Sequence, residues 1–516
     1  MNEKRFGLLR SIFWPVYRSE VKKVLSMVLL LFLLCISYNI LRNLKDTIIL
    51  TAKHSGAEVI PFIKVWGMLP AAFMAAWLFT RLRRYFRKEN VFYILLSCYI
   101  VYLLFFAFFL FPYSDALHLD RLGDWLSSYL PLGFAGFIAL IRNWTFTSFY
   151  IISELWSVLV LFLLYWGFAN DVTGVGEAKR TYGILNIGSN LAPIVGGYLA
   201  MLFTWSGQGD LLSIAMQKVA WENTIIQLLS LVSFLAVCCM ALFYWINRRI
   251  IVSEATPQEQ TPETEETAKN RLSIRASIRY ISRSSYLIPL AIIVLGYNIS
   301  INITDVLWKE QLRRYFVNPA EMLEHMNLIT IGIGIFATVG GIFFSLMVTR
   351  LGWTFIAMLT PFIMTTMAIG FFTFLFFGDA LGSLSAMLFG VTPMAMTVYF
   401  GSLQNCLSKG CKYSLFDASK ELSFLTLNPE SKLKGKAAID GLGSGLGKSG
   451  SSLAYQFFIV AFGSVALSTP CIAITLFIVL IAWILSVFAL GKQFSQLTGA
   501  AKDSVENPLP DSKLSQ

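Results

Sequence analysis

The sequence predicts an all-α, polytopic membrane protein of about twelve transmembrane helices in two six-helix halves. Three observations predict it. The chain of 516 residues is 56% hydrophobic and 14% charged, where an ordinary soluble domain carries about 25% charge. Apolar runs of roughly 20 residues, the length a helix needs to cross a bilayer, recur along the whole chain. Cations gather in alternate connections, as the positive-inside rule requires of cytoplasmic loops. The net charge of +11 is therefore read as topology and not as affinity for nucleic acid.

Residues 1–23 form a basic and aromatic cytoplasmic segment that leads straight into the first apolar run. No small-residue cleavage site follows, so this run is expected to be a retained helix. The short amino terminus lacks a Ser/Arg-rich leader, which favours a bacterial cell inner membrane. The first half, 24–249, is expected to hold spans at Val24–Arg42 continuing to Thr51, Val59–Phe79, Val91–Phe111, Phe149–Phe168, Tyr182–Phe203 and Thr224–Ile246. Leu132–Thr147 is apolar but interrupted, and reads either as an outer re-entrant segment or as the start of the fourth span. The cation-rich run from Arg81 to Lys88 places the connection between spans two and three in the cytoplasm, while Ser114–Ser128 and Ser206–Asp210 carry few cations.

A cytoplasmic linker is expected over 250–284. Its Ser253–Asn270 portion is acidic, contains Pro and lacks an apolar face, the composition of a solvated connector. The second half, 285–490, gives Tyr286–Thr304, Leu328–Val348, Phe355–Phe377, Leu384–Leu407, Ile439–Phe462 and Pro470–Leu490. A cytoplasmic tail, 491–516, completes the chain, with disorder expected after Thr498. An even span count puts both termini on the cytoplasmic side.

Charge inside the first span is the strongest pointer to function. Arg42, Lys45 and Asp46 lie in an apolar run beside Tyr38, Asn39 and Asn43. A charged side chain at the bilayer centre costs roughly 2.5–3.5 kcal/mol on insertion scales and persists where it faces a protein-lined cavity. On a helix Tyr38, Arg42 and Lys45 fall near one stripe. Arg42 and Asp46, four residues apart, are placed to pair, which leaves Lys45 as the least compensated cation. Such a cation suits an anionic solute, phosphates best; the bland alternative is a salt-bridged gate without ligand contact. Tyr38-Asn39-Ile40, Asn43 and Asp46 recur as Tyr297-Asn298-Ile299, Asn302 and Asp305, five identities at corresponding places in the two halves. Paired repeats around a midplane site are a transporter arrangement, and with the Arg cluster they suit a major-facilitator-like architecture.

Further candidates are Glu154, a lone carboxylate in the fourth span, as an ion-pair partner or proton carrier, and Asp305 with Lys309, an i, i+4 pair in the seventh. Asn190, with donors and an acceptor, suits a base edge or ribose. Lys436 and Lys448 are candidate phosphate partners. The run Gly441–Gly450 resembles a phosphate loop at its end, but Leu442 stands where the motif needs Gly, and no strand precedes it. Its alternating glycines instead suit helix packing. The seven cysteines lack a CxxC pair, and His54, His118 and His325 are scattered. No metal site, cofactor motif or nucleophile–base arrangement is expected, and so no enzyme.

Across Phe13–Leu490 the chain resembles the bacterial and plastid ATP/ADP translocases, nucleotide transporters of obligate intracellular, chlamydia-like bacteria. The resemblance rests on Trp14-Pro15, Leu41-Arg42-x-x-Lys45-Asp46, Ala57–Phe62, Ser153-Glu154-Leu155-Trp156, Trp166–Asn170, Glu177–Arg180, Ser408–Asp417, Lys434-Gly435-Lys436 and Leu446–Gly450. It implies a twelve-span carrier whose essential charges map onto Lys45, Glu154, Asp305 and Lys436. The expected function is import of ATP or other nucleoside triphosphates in exchange for ADP or another nucleotide. The alternative is proton-coupled net import. Expected partners are ATP and ADP, with GTP, CTP and UTP open, the lipid bilayer and, in the alternative, protons; a monomer is expected. Asn43 and Leu44 replace the family's acidic residue and Thr, and Asp305 replaces Glu. Both departures weigh against strict ATP-for-ADP exchange and leave nucleotide transport intact.

Overall fold

Every backbone polar group inside a membrane must find its partner within its own segment, which leaves the helix as the element this composition forms. The computed structural model describes residues 16–204, 214–251, 274–427, 429–445, 447 and 450–506. The linker portion Ser253–Asn270, the connection Ser206–Asp210, Lys448 and the tail beyond residue 506 lie outside them. The described residues are helical nearly throughout.

The helices run as α1 (Val21–Leu50), α2 (Val59–Tyr85), α3 (Lys88–Leu110), α4 (Asp120–Tyr129), α5 (Leu132–Arg142), α6 (Trp144–Val172), α7 (Val175–Thr204) and α8 (Ile214–Ile246). Then come α9 (Ile274–Ser282), α10 (Leu287–Tyr315), the run Pro319–Phe389, which Gly352 divides into α11 (319–351) and α12 (353–389), and α13 (Pro393–Cys411). The last are α14 (Asp417–Leu425), α15 (Pro429–Gly445), α16 (Ser451–Phe462) and α17 (Val465–Glu506). Ten of these are long and apolar enough to cross a membrane. They account for every expected span except Leu384–Leu407 and Ile439–Phe462. Those two are divided: the first between the end of the Pro319–Phe389 run and α13, the second between α15 and α16. Gly390, at φ 67°, and Pro393 make the first division. Gly352, at φ 79°, marks the turn between expected spans eight and nine; glycine takes that left-handed conformation without steric penalty.

The interrupted segment is a helix of its own. Asn143, whose side chain donates to the carbonyls of Lys53 and Ala139 at 3.1 and 3.2 Å, separates α5 from α6. Gly133 lets the start of α5 touch the end of α16: a Cβ there would lie 2.5 Å from Val460 Cα.

By contact the chain forms two compact units. The first comprises Met1–Glu259, Val306–Thr338 and Gln456–Ser468; the second comprises Gln260–Asp305, Val339–Tyr455 and Thr469–Gln516. The first unit therefore takes in, besides α1–α8, the C-terminal turns of α10, the start of α11 and part of α16.

Polar residues in α1 are accommodated by bonding back one turn, which frees no backbone group. Asn39 Nδ2 donates to Cys35 O at 2.8 Å and Thr47 Oγ1 to Asn43 O at 3.0 Å. The repeat seen in the sequence has the same local chemistry. Asn298, the counterpart of Asn39, donates to Val294 O, also at 2.8 Å.

The helix α6 carries a π-helical stretch, Ser157–Trp166, and its spacing explains why. Trp156 Nε1 donates to Leu34 O at 3.1 Å, and Tyr165 Oη donates to Met27 O at 3.0 Å. Their acceptors on α1 are two turns apart, about 10.5 Å. Nine residues of α-helix would rise about 13.5 Å and turn about two and a half times, which puts the two rings on opposite faces. The wider, shorter π turn returns both to α1.

Candidate functional site

The centre of the first unit holds a chain of four alternating charges. Lys45 Nζ lies 3.0 Å from Asp46 Oδ1 and 3.2 Å from Glu154 Oε2. Asp46 Oδ2 in turn lies 2.8 Å from Lys309 Nζ. Lys45, Asp46 and Lys309 are all buried, and the Glu154 side chain is 33% exposed. Helix geometry makes the arrangement possible. Lys45 and Asp46 are neighbours on α1 and point about 100° apart. One carboxylate can thus reach back to its neighbour while its other oxygen faces α10. The ammonium of Lys45 also sits 3.6 Å above the centre of the Tyr150 ring, one turn before Glu154 on α6, a cation–π position worth more when desolvated.

Lys45 is accordingly not the least compensated cation that the sequence suggested, for two carboxylates and a ring face surround it. Two positive and two negative groups give the chain no net charge. Removing one member of such a buried pair leaves an uncompensated charge, at a cost of about 3–5 kcal/mol.

Three further contacts join the C-terminal part of α1 and the start of α2 to segments from the second half of the sequence. Asn43 Nδ2 donates to Asn327 Oδ1 at 2.8 Å and to Thr330 Oγ1 at 2.9 Å. Glu310 accepts from the Ala57 backbone N–H at 3.2 Å and from Arg314 Nε at 2.7 Å, and also pairs with Arg313. Gln456 Nε2 donates to Pro61 O at 2.7 Å. Glu58, beside this seam, has its carboxyl raised above the usual range by burial.

At the same end of the unit is a cavity of about 290 Å³ whose lining includes Lys53, Phe111, Asp115, His118, Lys218 and Trp221. Lys53 and Lys218 both pair with Asp115, at 2.7 and 3.1 Å. Their hydrogen bonds hold the Asp115 carboxyl below its usual range, and the same bond holds Lys53 above its own. His118 Nε2 bonds Thr145 Oγ1 at 2.8 Å, and burial lowers its imidazole from the ordinary 6.5.

The other sequence candidates fall as follows. Tyr38 and Arg42 are half-buried on α1, and Asn190 is half-buried on α7. Asp305 belongs to the second unit, where it accepts from Lys409 Nζ at 3.0 Å and Asn405 Nδ2 at 3.1 Å. Lys436 is also there, 2.6 Å from Glu421, with both side chains well exposed. Lys448 lies outside the described residues. The partners Asn327 and Lys409 carry no role in the sequence, and Lys309 carries only that of an i, i+4 partner to Asp305. A lysine within an apolar run is a visible signal at position 309, but helical spacing assigns it to Asp305, one turn back, and not to Asp46.

Fold and site together define an all-helical membrane protein that holds a cluster of buried charges. The backbone is similar to that of the nucleoside transporter NupG, solved in a mutant form. The TM-score is 0.55 at 12% identity, over 92% of this chain and 99% of that one. The chain belongs to the TLC ATP/ADP transporter family, whose model matches residues 1–494. It is 38% identical over 508 residues to ADP,ATP carrier protein 1 of Chlamydia muridarum, covering 98% of this chain and 94% of that one. It is 34% identical over 479 residues to the chloroplastic ADP,ATP carrier protein 1 of Arabidopsis thaliana, covering 93% of this chain and 75% of that one.

Proposed function

We propose that the protein is a nucleotide exchanger that brings ATP across a bacterial inner membrane against ADP by alternating access. It works as a monomer with both termini in the cytoplasm and without covalent chemistry. The observation that carries this reading is Lys45, buried in a carrier fold with Asp46 and Glu154 as its anions. A phosphate competes for Lys45 with those two carboxylates. The empty site is thus charge-balanced, and the cation never faces lipid alone.

In this reading Arg42, Lys45 and Lys436, with Lys448, neutralise phosphates. Tyr38 and Asn190 place the base or ribose. Glu154, Asp46 and Asp305 balance the cations when nucleotide is absent. With the termini in the cytoplasm, the C-terminal end of α1 and the cavity beside His118 face the exterior.

A second reading, proton-coupled net import, draws on the same charge chain. An empty site already neutral has less need of a returning anion, and Glu154, the most exposed member, is the group placed to take a proton. Uptake of labelled ATP, GTP, CTP and UTP into proteoliposomes, with ADP or no nucleotide inside, tests both. Uptake that requires internal ADP supports exchange. Uptake into empty vesicles, raised by an inward proton gradient, replaces exchange with net import. A nucleotide released chemically altered would sink both readings.

A further inference from the structure

Within the second unit, Asn405, Lys409 and Lys412 follow one another at i, i+4 and i+7, from α13 into the π-helical stretch Lys412–Phe416, and so share one face. Asn405 and Lys409 meet Asp305 of α10, at 3.1 and 3.0 Å. Lys412 meets the same helix at Tyr297. Its ammonium lies 5.7 Å from the centre of that ring and 5.3 Å from the centre of the Tyr413 ring. Tyr297 is buried and stacked on Phe416, with the centroids 4.7 Å apart, whereas Tyr413 is exposed. Tyr297 stands about 15 Å from the start of α10 and about 27 Å from its end, so the cation is held along the helix and not at its rim. Tyr297 is also the second copy of Tyr38 in the repeat shared by the two halves.

What this cation lacks is an acid. Lys409, Lys420 and Lys436 each have a carboxylate, at 3.0, 2.9 and 2.6 Å. Among the described residues Lys412 has no carboxylate within ion-pair distance and no hydrogen-bond acceptor. Asp417, five residues on, acts on it electrostatically without making a pair. Ring faces attract an ammonium within about 6 Å of their centres, but they carry no net charge and offer no oxygen to its three N–H groups. We propose that Lys412 is a phosphate-binding residue of the nucleotide site, held ready by Tyr297 and Tyr413. The proposal rests on the exchange reading and deepens it. A phosphate supplies both the missing charge and the missing acceptors. At Lys45 it must compete with two carboxylates. At Lys412 it displaces no acid, so the contact is made without stranding a buried charge.

The test is ATP exchange in proteoliposomes by Lys412→Gln and Lys412→Arg beside the unaltered protein. No carboxylate depends on Lys412 for an ion pair, so the glutamine variant is expected to insert normally. It should raise the KM for ATP about tenfold, the loss of one charged contact, while the rate at saturation stays within about threefold. Lys412→Arg, which keeps the charge and the ring contacts, should bring KM back to within about threefold. An unchanged KM in Lys412→Gln, whether or not the maximal rate falls, would overturn the proposal, because a side chain that only packs between tyrosines does not set the affinity for ATP. A second measurement needs no variant. Amine-reactive labelling of the unaltered protein in detergent, mapped to peptides by mass spectrometry, should show Lys412 shielded several-fold by ATP and not by adenosine, which has no phosphate. Equal labelling under ATP and adenosine would count against the contact. If the unaltered protein exchanges no nucleotide, the exchange reading itself fails, and the shielding measurement alone decides the Lys412 contact.

Discussion

Asp46 holds Lys309 at 2.8 Å, although the two stand in opposite halves of the sequence. One carboxylate thereby ties the end of the first span to the end of the seventh while its other oxygen holds Lys45 at 3.0 Å. Lys45 and the inter-helix tie are joined through a single side chain.

Lys45→Ala removes the cation and leaves Asp46 and Glu154 facing one another in a buried setting. An ion pair broken in this way costs about 3–5 kcal/mol. ATP exchange should fall by two orders of magnitude or more, on the scale of about 1.4 kcal/mol per tenfold. The amount of protein inserted in the membrane, read by detergent extraction and size exclusion, should change far less. Near-normal uptake by the inserted variant would remove Lys45 from the site.

Glu154→Gln keeps the shape of the side chain and deletes the competitor that is 33% exposed. Phosphate then displaces one carboxylate from Lys45 in place of two. The expected result is a KM for ATP lowered several-fold together with a turnover lowered about tenfold, the signature of a ground state bound too well. Initial-rate measurements over a range of ATP concentrations separate the two parameters.

Asn43→Ala withdraws a donor from both Asn327 and Thr330. A buried polar group left without its partner costs about 1–3 kcal/mol, so the melting temperature in detergent should drop by several degrees. Asn43→Asp should be better tolerated. Asn327 Nδ2 has no hydrogen-bond partner in the structure. A flip of that amide would turn a donor toward the new carboxylate. The order of melting temperatures, Asn43 highest, then Asp, then Ala, checks the argument.

His118 gives the expected pH dependence. Its imidazole is lowered from 6.5 because burial disfavours the cation. The unfolded chain then binds more protons than the folded one as pH falls through and below that value. The neutral ring's contribution is intact above about pH 6.5 and is lost as pH falls toward the folded value. Melting temperatures of the unaltered protein and His118→Gln should therefore converge on acidification from pH 7.5 to 5.5. Parallel curves would show that His118 does not set the slope.

The sequence makes the fold class plain because lipid imposes its demand residue by residue: length, hydropathy and loop charge all record it. It also exposes Lys45, Asp46 and Glu154, since each is a charge where lipid tolerates few. The partner of each charge is less legible. Periodicity fixes the face of α1 on which Asp46 lies, but not which helix comes to that face. Spacing therefore links Lys309 to Asp305, four residues away, and gives no sign of the carboxylate that α1 brings to it. In the sequence, Asn43 is a departure from the family's acidic residue that weighs against strict exchange. In the structure its amide is turned to Asn327 and Thr330, so its effect falls on helix association. The division of Ile439–Phe462 was equally hidden, because a broken apolar run and a continuous one have the same composition.

The π-helical stretch between Trp156 and Tyr165 places a constraint of a different kind on α6. The two anchors fit their carbonyls on α1 only while nine steps separate them. Exchanging one aliphatic residue for another between Val158 and Leu163 alters chemistry and preserves the count. Losing one residue preserves the chemistry and shifts the phase, so that Trp156, two positions after Glu154, and Tyr165 can no longer both be seated. Along this stretch the number of residues matters to the fit more than their identity, and a one-residue deletion there is expected to be the more severe change.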